Sequence, residues 1–371
     1  MAAEPIGARA LNRATLARQM LLERADVPVR EAVSRLVGLQ AQEPLDPYVG
    51  LWSRLRGFRP ASLAALLTGR EAVRIVLMRG TIHLVTAEDC RELRPPVQPI
   101  LDRELTVHQE FKAELATVDP GPVLEVARPF LAEPRTIPEL RAELARHFPD
   151  RTPGALAYLC RNHLPLVQVP PRGVWGMARQ VTLADAEVWL GRPLAARPDR
   201  ERIALRYLAA FGPATPADLA AWSGLPSMRP VLEGLRPGLR AFRDERGREL
   251  LDVDDAPRPG PDVPAPPRFL PVYDNVLLSH ADRSRFGGDD DRRRLAAAPG
   301  RVRGSVLLDG TVLGTWWTDG DAADGGVTLT VRHLRPVPAR AARSLAAEGR
   351  RLMRMTHPGD GPREVRMVPL G

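Results

Sequence analysis

Lysine is almost missing from this chain of 371 residues: Lys112 is the only one, and arginine supplies the rest of the 53 basic residues. Schiff-base chemistry would therefore have a single candidate nucleophile, and no motif surrounds it. Cysteine is nearly as scarce. Cys90 and Cys160 stand far apart with no CxxC, which excludes a disulfide framework and a thiolate zinc site and fits two buried thiols in a reducing compartment. Aromatic residues make up only 5%, so the core has to be built from Leu, Val and Ala. Nowhere do 18 apolar residues run together, and Met1–Ala10 holds no apolar h-region, so a soluble cytoplasmic protein is expected. Walker, GxGxxG and HExxH patterns are absent, which leaves nucleotide hydrolysis, Rossmann redox chemistry and zincin proteolysis without support.

What is present is positive charge, net +8 with a pI near 10.4. Arginine offers a rigid fork of donors suited to phosphate and guanine edges, so the leading partner is a polyanion. Length suggests two to four modules. Helical spacing runs through Leu11–Arg24, Val29–Leu39, Pro47–Leu55 and Pro60–Thr68, and Arg74–Met78 and Thr81–Val85 follow as a β-hairpin across Arg79-Gly80. Helices followed by a two-stranded wing are the plan of a winged helix. The plan recurs: helices at Pro122–Leu131, Ile137–His147 and Thr152–His163 precede a hairpin of Leu166–Pro170 with Gly173–Met177. It recurs again with helices at Arg202–Phe211, Pro216–Trp222 and Ser227–Leu235 and a hairpin of Leu239–Arg243 with Glu249–Val253. A linker with six prolines in Ala256–Pro267 leads to a β-rich end: strands at Val302–Leu308, Thr311–Trp317 and Gly326–Arg332, then a closing helix at Ala339–Met353. The acidic and basic run Asp289–Arg294 reads as a solvated loop. The expected fold class is α+β, with modules at 1–115, 116–190 and 195–255 and a β-rich region at 265–371.

One stretch stands out, Gly38-Leu39-Gln40-Ala41-Gln42, expected where the second helix gives way to a turn forced by Pro44 and Pro47. Two amides flanking a small residue can hold a polar guest such as water. With Met78-Arg79-Gly80-Thr81-Ile82-His83, Leu270-Pro271-Val272-Tyr273-Asp274, Ser279–Arg285 and Asp309-Gly310…Gly314-Thr315-Trp316 in order, the chain resembles the winged-helix DNA glycosylases of the AlkZ/YcaQ type found in bacteria. The likeness spans nearly the whole chain. It implies three tandem winged helices in a C-shape around a channel for duplex DNA, and excision of N7-alkylguanine, including unhooking of interstrand crosslinks. The family's catalytic Gln-x-Gln/Asp motif falls on Gln40, Ala41 and Gln42. Gln at the last position matches the branch that confers self-resistance to crosslinking antibiotics of the azinomycin type, rather than a general repair role.

N7-alkylguanine is already cationic and leaves as a neutral base without an acid, so the protein has only to place a water at C1′ and stabilise the sugar cation. Amides do this by orientation. Arginine-dominated charge with one unremarkable lysine then points to a monofunctional glycosylase without lyase activity, cofactor or metal, acting as a monomer on double-stranded DNA at the nucleoid. Arg79 at the hairpin tip, His83, Arg283 and Arg285 are the candidate DNA contacts, and Glu43, Asp46 and Asp274 the candidate electrostatic support for the sugar cation. Plain salt bridges from Asp274 and Asp282 to Arg283 and Arg285 are the competing account of that segment. The rival functions are a winged-helix transcription regulator and a damage-binding shield, neither of which would release a base.

Overall fold

The computed structural model describes residues 3–297, 303–320 and 325–370. Three sheets carry the architecture, and the fold is α+β. The largest has six strands in the order Leu39–Gln40, Ile82–Thr86, Ala72–Val76, Leu166–Gln168, Thr182–Asp185, Arg135–Thr136, all neighbours antiparallel. Strands from the first and second expected modules are thus hydrogen-bonded in one sheet, Arg74 opposite Gln168 and Ile75 opposite Val167. A smaller sheet joins Glu4–Pro5 in parallel to the hairpin Arg240–Arg243/Glu249–Asp252, which ties the chain start to the third module.

The C-terminal sheet runs Arg268–Leu270, Gly304–Leu308, Thr311–Gly320, Val327–His333, Arg363–Pro369, its last pair parallel. The helix Ala339–Thr356 makes the crossover between those parallel strands and buries Leu345, Leu352 and Met353 against Phe269, Leu329 and Val331. Val302, where the first of these strands is expected to begin, lies outside the described residues.

Local chemistry explains most element limits. Thr136 and Thr215 each form a capping box with Glu139 and Asp218, opening helices Ile137–His147 and Pro216–Ser223. The expected helices at Pro60–Thr68 and Ile137–His147 are found with those bounds. Four expectations are corrected. The first helix, Ala8–Arg18, stops short of Arg24. The second, Val29–Arg35, stops short of Leu39. Gly173–Met177 forms no strand, and the partner of Leu166–Gln168 is Thr182–Asp185. Asp289–Arg294 lies within the helix Asp289–Ala297, where the acids occupy the first turn and favour the helix dipole. Three segments not anticipated, Ala87–Leu93, Gln98–Val107 and Lys112–Leu115, are helical.

Candidate active site

The Gln40-Ala41-Gln42 segment sits on a strand and its exit, not on a helix end. Helix Val29–Arg35 closes with paired bonds, Val37 N–H to Ser34 O and Gly38 N–H to Val33 O, each 3.0 Å, and both residues take positive φ, 53° and 88°. Gly38 is required there, because a Cβ would lie 2.6 Å from Val85 Cγ1 and 2.9 Å from Leu84 O. The turn throws the next residues into the sheet edge, where Gln40 pairs with His83 and the Ala41 amide donates to Ile82 O at 2.8 Å. The Ala41 carbonyl in turn accepts from Arg74 Nη2 at 2.9 Å. Arg74 is buried with Nε and Nη1 unpartnered, and burial together with Arg172 pulls its pKa down to about 10.

Gln40 is buried and tethered. Arg79, in a left-handed turn at φ 57°, donates through Nη2 to Gln40 Oε1 and to Asn275 Oδ1, each 2.9 Å, and through Nη1 to Trp222 O at 2.6 Å. A guanidinium can only donate, so the carbonyl end of Gln40 is fixed toward Arg79 and its NH₂ end faces the other way. Burial and nearby Arg283 lower the Arg79 pKa to about 10, which leaves it charged at neutral pH. Asn275 closes the loop by donating to Gly38 O at 3.3 Å.

Gln42 differs from its neighbour. It and Glu43 are exposed, and neither side chain has a hydrogen bond within the described residues. Arg79, expected at the DNA surface, is mostly drawn into the Gln40 network. His83 is wholly buried; Nδ1 donates to Thr81 O at 3.0 Å, and burial and Arg79 depress its pKa to about 3, so the ring is neutral. Arg285 is also enclosed, bonded to Thr15 Oγ1 at 2.9 Å and Pro213 O at 3.2 Å, with no face toward a duplex. Arg283 is half-buried and free of any ion pair within the described residues, and burial and Arg292 lower its pKa.

The acids divide as well. Asp274 is locked to Arg54 by two 2.7 Å bonds with both side chains buried, and Gln19 Oε1 takes a further Arg54 bond at 3.2 Å. Asp282 instead pairs with Arg246 at 2.9 Å and Arg248 at 2.7 Å, and His280 bonds Phe211 O at 3.0 Å, so neither joins Asp274, nor do Arg283 and Arg285. Asp46 opens helix Asp46–Arg54 with Oδ2 buried and unpartnered. Burial, then repulsion from Glu43 and Asp274, raises its pKa to about 7 against the pull of the Val272 and Tyr273 amides. Gln40, Asp46, Asp274 and Asn275 line a cavity of about 10 Å³ of water-centre space, room for one water. Sequence reasoning missed Asn275, Arg54, Arg74 and Gln19; Asn275 directly follows the quoted Leu270–Asp274 segment, while the others carry no local signal. Lys112 is exposed on a short helix packed against Gln98–Val107 and Pro153–His163. Among the described residues no group of three His, Cys, Asp or Glu could hold a metal, and no helix is long and apolar enough to cross a membrane.

A tethered amide beside a free one, over a water-sized cavity, is an arrangement for orienting water. A family model for AlkZ-like DNA glycosylases matches residues 33–355. The chain belongs to the AlkZ-like DNA glycosylase family. Among solved structures the AlkZ-like chain is similar to the DNA glycosylase AlkZ of Streptomyces sahachiroi, with TM-score 0.71 and 20% identity over 98% of this chain and 100% of that one. At that identity the likeness speaks for a shared fold. A comparison with curated protein sequences gave no match.

Proposed function

We propose that the protein hydrolyses the N-glycosidic bond of N7-alkylguanine in double-stranded DNA, interstrand crosslinks included, as a monomeric, monofunctional glycosylase that needs no metal. The observation that carries this is the contrast within the motif: Gln42 is exposed and unbonded, while Gln40 two residues earlier is buried and held by Arg79. Gln42 then positions the attacking water, and Gln40 and its Arg79–Asn275 frame fix the segment from behind. In the reaction the C1′–N9 bond breaks with its electron pair passing to the cationic base, which leaves neutral. The water oxygen bonds to C1′ and loses one proton to solvent. Arg79 is held inside, so Arg283 becomes the better candidate for a phosphate contact, and the exposed arginines would supply the salt-dependent hold on the duplex. The three modules of the sequence reading would wrap that duplex around the motif. An open site of this kind suits a crosslinked guanine, which is tethered to the opposite strand and cannot swing freely into a closed pocket.

Incubating the protein and EDTA with a duplex holding one N7-methylguanine, then detecting free base by mass, tests this. Release that vanishes in Gln42→Ala is the expected result. Tight binding without release would instead favour the non-catalytic regulator or shield.

A further inference from the structure

Beside the motif lies a second, larger cavity of about 540 Å³, walled mostly by apolar side chains including Leu277, Leu278, Phe286 and Val312. Its volume falls in the range that holds a small organic ligand. Leu277 and Leu278 are only half-buried in its wall, although residues beside them in the chain, Asn275 and Val276, are buried. Two residues join this cavity to the catalytic segment. Asp274 lies on its wall and also on the wall of the water-sized cavity beneath Gln40. Arg283 lines it and stands close enough to Arg79 to depress that residue's pKa. Neither Gln40 nor Gln42 is part of its lining.

We infer that this pocket receives the substituent carried on N7 of a bulky lesion, an uncharged, flat, apolar group such as a fused aromatic ring; the inference rests on the glycosylase reading above. The geometry of the substrate argues for it. The water has to reach C1′, so C1′ sits at the glutamines. N7 lies on the edge of the purine away from the glycosidic bond, and a group attached there extends away from C1′. A cavity that adjoins the glutamines without containing them is where such a group ends. The charges at the pocket agree with an uncharged occupant. Asp274 is neutralised by Arg54, and Asp289 and Asp290 on the flanking helix pair with Arg292 and Arg293. Arg283 alone is unpaired among the described residues, and its planar guanidinium can stack on an aromatic face or donate to a carbonyl on the linker. A methyl group at N7 would leave the pocket empty.

The test compares two otherwise identical duplexes, one with N7-methylguanine and one with N7-(naphthylmethyl)guanine, for wild type and for Leu278→Trp, which fills the pocket. The expected result is a fall of about 10- to 200-fold in kcat/KM for the naphthylmethyl lesion with methylguanine release within about twofold of wild type. Val312→Phe, from the opposite strand wall, should give the same selectivity and covers the case in which Leu278→Trp fails to fold. Equal losses on both lesions, or no loss on either, would overturn the pocket assignment while leaving the glycosylase reading in place. Wild-type protein that releases neither base would overturn both.

Discussion

Replacing Asp274 with alanine strips the counter-ion from one of the most enclosed arginines in the molecule. The Arg54 side chain is 2% exposed and Asp274 3%, and two bonds of 2.7 Å join them. What remains for Arg54 afterwards is Gly50 O at 3.0 Å and Gln19 Oε1 at 3.2 Å, both neutral, while Nε has no partner even now. No rearrangement brings water to that charge without opening the core under helix Asp46–Arg54. Breaking a buried pair from one side costs about 3–5 kcal/mol. Asp274 also accepts the Val276 amide at 3.0 Å, and losing that cap adds about 1 kcal/mol. Urea unfolding followed by tryptophan fluorescence should therefore show Asp274→Ala destabilised by about 4–6 kcal/mol. Arg54→Met combined with Asp274→Leu should recover most of the loss, because it removes both charges and keeps the volume. A single-variant cost below about 1 kcal/mol, or a double variant no better than the single, would mean that the pair is not the buried, desolvated bridge described here.

The two glutamines should separate stability from activity. Gln40→Ala takes an acceptor from buried Arg79 and should cost about 1–3 kcal/mol, whereas exposed Gln42→Ala should cost under about 0.5 kcal/mol while abolishing base release; parallel urea melts and release assays check both. Asp46, raised from 3.8 to about 7, favours its neutral form in the fold, so its stabilising contribution is complete below the unfolded value and is lost as pH rises through 7. Asp46→Asn should then match wild type near pH 4 and exceed it at pH 8 by on the order of 1–3 kcal/mol, and equal melting at both values would count against a raised pKa. Lys112→Ala should leave base release unchanged, with the abasic strand intact in both proteins on a denaturing gel. Strand nicking by wild type that disappears in this variant would establish a lyase instead.

Periodicity and end signals carry far in this chain. Helices such as Ile137–His147 announce themselves through a Thr-x-x-Glu box and apolar spacing, and the Asp309-Gly310 hairpin through its turn pair. What a single sequence hides is non-local. Gly38 beside a β-branched Val37 gave no local sign that the helix would end there, because the requirement comes from Val85 and Leu84 on a strand more than forty residues on. Likewise Leu39-Gln40 is too short to read as a strand until Ile82–Thr86 is beside it. The motif residues Gln40 and Gln42 were legible as a pair, and so was Arg79 as a neighbour of interest. Their unequal burial was not, since it depends on Asn275 and Trp222 arriving from distant segments. Arg285 and His83 look like surface contacts by composition and are enclosed by packing alone.

The six-stranded sheet has a consequence for anyone who would cut this protein into pieces. Severing the chain near 115/116 to isolate the first module would strip Leu166–Gln168 from Ala72–Val76 and leave bare, apolar strand edges on both fragments. Such edges are templates for pairing with other chains. The halves should therefore clump when made alone and turn soluble when made together, where each edge finds its native neighbour.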